Sequence, residues 1–353
     1  MNNRKTYFDI LRITAIYLAV LIHTGTGGYL YYLRLSQPPG RAIFMGATAF
    51  IQAASVPMLM MISGALLLSR EESIRTVARK RILRFALLIV LFSLISYAYT
   101  VVREKETFSL WVFLCNLFSY EQVYSYWYLY AYLAFLVELP FLRIMVKHMR
   151  KQDFLYFFAF AAVYSALTPA ALLILKAPLA PSSNFSPFIV QDMVLFPIAG
   201  YCIDHCLTDT DFSRKRVWIA AAASAAAIVA EVLVQTVYRR LCAEGTYNPD
   251  LYLSSLSFFP CVGIFFCAKA ASLRAHVKGG KMSGRLLSLF SSCSLGVYLL
   301  QHIILAETKP AGSFFRKALG IFPGTLVWVL LACITGTLVT WLLKKVPGMR
   351  KLL

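Results

Sequence analysis

This sequence predicts an all-α fold, that of a polytopic membrane protein with about ten transmembrane helices in one bundle, on three observations. Apolar residues make up 59% of the 353 residues and charged residues only 14%. The apolar residues collect into runs of about twenty, enough to cross a bilayer as a helix. Lys and Arg, 35 against 16 Asp and Glu, sit largely in the short segments between those runs. A net charge of +19 on a soluble surface would suggest nucleic acid. In inter-helix loops the positive-inside bias accounts for it, and no nucleic-acid partner is expected. A single integral-membrane domain over residues 1–353 is expected. The eight cysteines fall mostly inside apolar runs, without CxxC or Cys/His spacing. They read as small hydrophobes, with neither a disulfide framework nor a metal site.

The first run, YFDILRITAIYLAVLIH from Tyr7 to His23, lacks a small-residue cleavage site before Gly25 and reads as a retained helix. It holds ionisable groups where a charge costs on the order of 3 kcal/mol to insert, so they are expected to face protein or a wet cavity and to serve a purpose. Asp9 and Arg12 stand three apart and can pair on one face. His23, eleven residues after Arg12, returns to that face about 16 Å further along the axis. A loop with Gly27, Gly28, Pro38 and Pro39 leads to a second run, about Ala42 to Leu68. Within it Pro57 predicts a kink, and Ser63 with Gly64 reads as a close-packing step rather than a nucleophile.

Ser69 to Arg84 is expected to be a basic loop and about Phe85 to Val102 the third helix. Aromatic Phe108 to Phe118 is expected at the interface, ahead of a fourth helix from about Val123 to Val146. The fifth run, about Phe154 to Leu175, ends in a Pro/Ser-rich loop, Ala177 to Pro187, expected to be exposed. Five more runs follow, at about Phe188 to Ile203, Val217 to Val237, Leu251 to Ala271, Leu286 to Ala306 and Phe322 to Leu343.

With the amino terminus inside, cytoplasmic segments hold roughly 24 of the 35 Lys and Arg and outer segments roughly 10. Both termini are therefore expected to be cytoplasmic, in the cell membrane. Helices one and nine then run in the same direction, so His23 and His302, the latter in GVYLLQH, fall at similar outer depth and can converge on one cavity. At the inner surface RKRILR, Arg79 to Arg84, exceeds what anchoring a loop requires. Arg81 and Arg84 are spaced to present two guanidinium forks to phosphate, with Arg79 beside them. Glu138 and Glu231 are carboxylates within helices, each readable as an arginine partner or as a plain helix-end group. Cys293 lies nine residues from His302, off its face, which argues against a Cys/His pair. There is no P-loop, GxSxG or HExxH motif.

These stretches, taken in order, resemble the acyltransferase 3 family of integral-membrane acyltransferases. That family opens on a basic residue, ten intervening residues and a His, as Arg12 and His23 stand here. VPMLMMISGALLL followed by VARKRILR is similar to its second helix and its cytoplasmic RxxR, which falls on Arg81 and Arg84. WYLYAYLAFLVELPFL resembles its fourth helix, and SLGVYLLQH its penultimate one. The resemblance covers essentially the whole chain. It implies acyl transfer, usually of acetyl from cytoplasmic acetyl-CoA, to a hydroxyl of a glycan or lipid-linked sugar, with no metal. In this reading Arg79, Arg81 and Arg84 take the phosphates of CoA and His23 is the general base, with His302 its competitor. Arg12 stabilises charge or orients the thioester arm, with Asp9 holding its fork. Without the hydrolase-like or racemase domain fused to other members, the chain is expected either to complete transfer itself or to hand the acyl group to a separate extracytoplasmic protein. The rival reading is a transporter or flippase of a lipid-linked or small anionic substrate, but no internal repeat of the kind many transporters carry is visible.

Overall fold

In hydrocarbon every backbone N–H and C=O has to be satisfied within the protein, which a spanning chain achieves as helices or as a closed barrel. The computed structural model describes residues 5–25, 40–119, 123–176, 187–241, 256–274 and 281–353, and each element in them is helical. Seven of these helices are long and apolar enough to cross a membrane: Ala42–Leu67, Ile74–Glu104, Trp127–His148, Lys151–Leu175, Arg214–Leu241, Gly284–Glu307 and Ile321–Leu343. The chain is an all-α, multi-pass membrane protein. The other three expected spans correspond to shorter helices, Thr6–Ile22, Asp192–Tyr201 and Phe258–Arg274. The Pro/Ser-rich loop expected at Ala177 to Pro187, the glycine and proline loop before Ala42 and the start of the run at Leu251 lie almost wholly outside the described residues.

The helix pair α2 (Gly40–Ala54) and α3 (Val56–Leu67) answers to the kink expected at Pro57, with Ser55 between them at φ −97°, ψ −106°. Proline at the start of α3 offers no N–H to the turn before it and its ring displaces the carbonyl four residues back. The expected basic loop is overturned from Ile74 on. Helix begins at Ile74, capped by the Ser73 hydroxyl, which accepts from the Thr76 N–H. It passes through a π-helical turn, Ala78–Ile82, and continues as α4 (Leu83–Glu104). Charge density misled the sequence reading, because Arg and Lys are good helix formers and a basic run need not be irregular.

Two compact units divide the chain. One comprises Met1–Ala19, Leu30–Arg70 and Phe141–Ser283; the other comprises Val20–Tyr29, Glu71–Pro140 and Gly284–Leu353. In the first, α3 lies against α8 (Asp192–Tyr201) at backbone contact. A Cβ on Gly64 would overlap the Pro197 carbonyl, and one on Gly200 would overlap that of Met61. Small residues let membrane helices approach this closely, and Gly64 acts in packing as its sequence context suggests. Its neighbour Ser63 donates to the Leu59 carbonyl at 2.8 Å. Glu231, on α9 (Arg214–Leu241), is buried and accepts the Leu256 N–H at 3.2 Å. It thereby takes a structural part that sequence left open.

The same unit buries a carboxylate, Asp204, that sequence reasoning did not single out. Asp204 follows α8 in a π-helical turn, Cys202–Cys206. It accepts from Lys5 Nζ at 2.6 Å, Tyr7 Oη at 2.5 Å and Lys269 Nζ at 3.0 Å, and it lies 3.3 Å from His205 Nε2. These bonds tie the start of α1 (Thr6–Ile22) and the helix α10 (Phe258–Arg274) to one point.

In the second unit two tyrosines clamp the segment before α6 (Trp127–His148) onto α11 (Lys281–Glu307). Tyr126 Oη donates to the Leu299 carbonyl at 2.6 Å, and Tyr298 Oη donates to the Ser125 carbonyl. Lys309–Leu319 is a helix the sequence reading missed, α12 here. It is joined to α13 (Ile321–Leu343) by Gly320 at φ +85°, backbone that glycine adopts without strain. Trp328 of α13 packs so closely on Gly312 of α12 that a Cβ there would overlap its ring.

Candidate functional site

The helix α1 ends at Ile22, where Thr24 folds back on Leu21: its N–H donates to the Leu21 carbonyl at 3.3 Å and its hydroxyl at 2.7 Å. That turn delivers His23 to a cavity of 520 Å³ in the second unit, which His302 of α11 also lines. The two histidines that the topology reading put at one depth therefore share one space. Ser125, Gln301, Lys309, Arg316 and Trp328 add polar groups to its wall.

Both ring nitrogens of His302, both amide atoms of Gln301 and the Ser125 hydroxyl are buried without a hydrogen-bond partner among the described residues. An unpaired buried polar atom costs about 1–3 kcal/mol, so five together on one cavity are a standing cost that a polar occupant would relieve. The scaffold is stiff where these groups sit. The Tyr126 ring stands edge-on to His302 at 5.8 Å, and the tyrosine clamp fixes both chain segments that supply Ser125, Gln301 and His302.

Gln301, Ser125, Arg316 and Trp328 were not singled out from sequence. Gln301 adjoins His302 in an apolar run, and a polar residue there was the available signal. Arg316 had a signal too, the amphipathic stretch SFFRKAL, but it lay in what reads as a loop.

The other predicted residues separate into two places. Asp9 and Arg12 belong to the first unit and pair at 3.7 Å, with Asp9 buried and Arg12 27% exposed at its side chain. Arg79, Arg81 and Arg84 belong to the second. Arg79 is exposed on the π-helical turn. Arg81 grips Glu72 with both arms of its fork, Nε to Oε2 at 2.8 Å and Nη2 to Oε1 at 2.6 Å. Arg84 donates to the Leu352 carbonyl from Nε at 3.3 Å and Nη2 at 3.1 Å. The two forks expected to act together thus have different partners in the structure. Glu138 has a buried carboxylate oxygen without a partner among the described residues.

Fold and site together define a multi-pass membrane protein with a polar, histidine-lined cavity at the ends of its helices. The chain matches the acyltransferase domain family over residues 5–345, essentially its full length, and belongs to that acyltransferase 3 family. It is a membrane acyltransferase. No curated protein and no solved structure matches it.

Proposed function

We propose that the protein transfers an acetyl group from cytoplasmic acetyl-CoA to a hydroxyl of a cell-envelope glycan or lipid-linked sugar. One observation carries this reading, the cavity in which His23 and His302 meet a set of buried polar atoms without a hydrogen-bond partner among the described residues. A hydroxyl-bearing acceptor would satisfy those atoms, and a neutral imidazole is suited to take its proton at a ring nitrogen. The acceptor oxygen attacks the thioester carbonyl carbon as its proton passes to His23. The tetrahedral intermediate then collapses with cleavage of the C–S bond, and the CoA thiolate leaves and recovers the proton. The amide of Gln301 or the Ser125 hydroxyl is available to donate to the oxyanion, a contribution of a few kcal/mol when preorganised.

Arg79, Arg81 and Arg84 form the phosphate-binding segment for CoA in this proposal, Arg81 exchanging Glu72 for phosphate as the donor binds. Arg12, eleven residues before His23 in the chain, stabilises charge or orients the thioester arm, with Asp9 holding its fork. Purified protein incubated with radiolabelled acetyl-CoA and extracted envelope glycans is expected to move label into the glycan fraction. A glycan fraction that stays unlabelled with active, folded protein would overturn the proposal.

A further inference from the structure

The cavity has a cationic side that the transfer chemistry leaves unused. Arg316 and Lys309, both on α12, line it together with the histidines. Among the described residues no carboxylate pairs with either. Arg316 donates to Ser313 Oγ at 3.1 Å, and among the described residues that uses one of the five N–H donors a guanidinium has to offer. Glu307, the acidic residue nearest in sequence, is occupied elsewhere by Arg103 Nη1 at 2.7 Å and Tyr99 Oη at 2.5 Å.

The half-buried Arg316 is also held in place. Its guanidinium lies 5.3 Å from the centre of the Trp328 ring, and the Trp328 indole N–H donates to Thr308 Oγ1 at 2.9 Å. A stacked guanidinium with its edge donors left over is preorganised for a planar or tetrahedral oxyanion. The unpartnered Gln301 and His302 atoms, buried in the same wall, supply the second, independent sign of a ligand.

We propose that this side of the cavity is an anion subsite in which Arg316, aided by Lys309, holds a phosphate or carboxylate of the acyl acceptor. The acceptor is then an acidic sugar or sugar phosphate, and its charge fixes which hydroxyl meets the histidines. The inference rests on the acyl-transfer reading above and narrows its substrate class.

Envelope glycans separated by anion exchange into neutral and acidic pools, each incubated with radiolabelled acetyl-CoA and the full-length protein, test it. Label is expected in the acidic pool. Arg316→Ala should raise KM for that pool by about tenfold or more while leaving KM for acetyl-CoA unchanged, with a smaller rise in Lys309→Ala and partial recovery in Arg316→Lys. Lys309 is exposed, so its variant keeps the test valid if Arg316→Ala fails to fold. Carboxyl reduction of the acidic pool and, separately, its dephosphorylation show which oxyanion is read, since only removal of the recognised group abolishes labelling. Label entering the neutral pool as well as the acidic one, or a rise in KM confined to acetyl-CoA, overturns the subsite and leaves acyl transfer standing. Label in neither pool removes the acyl-transfer reading, and the subsite with it.

Discussion

At the scale of single residues, the proposed chemistry turns on which imidazole takes the proton. His23 and His302 line one cavity; spacing from Arg12 pointed to the first and the direction of helix nine to the second. An ionisable group in an apolar run is costly enough that sequence exposes it. Gln301, Ser125 and Arg316 were not legible in the same way. Among the described residues the Gln301 amide and the Ser125 hydroxyl lack a hydrogen-bond partner and Arg316 lacks a carboxylate, which is a property of the surroundings and not of the residue. His23→Ala is expected to lower acetyl transfer by about 10²-fold or more and to leave CoA binding intact, because a general base acts in the chemical step. His302→Ala should cost less if it only orients the acceptor. Near-normal turnover in His23→Ala with a collapse in His302→Ala would move the base to α11. Arg12→Ala is expected to lose activity too, and its effect on CoA affinity separates a role in holding the donor from one in the transition state.

At the scale of elements, a break and two helices carry the lesson. The Pro57 break was legible because proline acts through its own covalent geometry. The first turns of the third helix, Ile74 to Arg84, and the helix α12 were not, because each is short of apolar residues. The π-helical turn at Ala78–Ile82 sets Arg81 on Glu72 and leaves Arg79 exposed. Replacing Arg81 and Arg84 together by Ala is expected to weaken CoA binding by about tenfold or more, measured directly on purified protein. Arg81→Lys should recover little, since an ammonium does not form the two-armed contact. Unchanged CoA affinity in the folded double variant would return these residues to topological anchoring. Packing offers a sharper contrast. Gly64→Ala forces a methyl into the Pro197 backbone and is expected to destabilise by about 1–3 kcal/mol. Gly46→Ala, whose Cβ would stand 3.5 Å from Val232, should change stability little. Thermal unfolding in detergent that ranks the two alike would show that the α3–α8 contact yields easily.

At the scale of the whole molecule, the fold class was the most legible feature. Length and apolarity of a run decide whether it crosses a bilayer, and among the described residues seven helices meet both requirements. Orientation rests on a different signal, the distribution of Lys and Arg, and the donor proposal depends on it: acetyl-CoA is cytoplasmic, so the segment from Arg79 to Arg84 has to be cytoplasmic as well. Glu106, in the turn after α4, Arg75, in the helical turn Ile74–Val77 that leads toward α4, and Asp209, in the 3-10 turn Asp209–Phe212 before α9, are exposed and suit single-cysteine probes in a cysteine-free background. The positive-inside bias puts Glu106 outside and the other two inside. A membrane-impermeant maleimide applied to intact cells should therefore label Glu106→Cys at once and reach Arg75→Cys and Asp209→Cys only after permeabilisation. Each variant must keep acetyl transfer for its label to count. The reverse pattern would leave the family and the cavity untouched, yet it would put the arginine segment where no acetyl-CoA is present, and the donor would have to be sought among acylated carriers of the outer face.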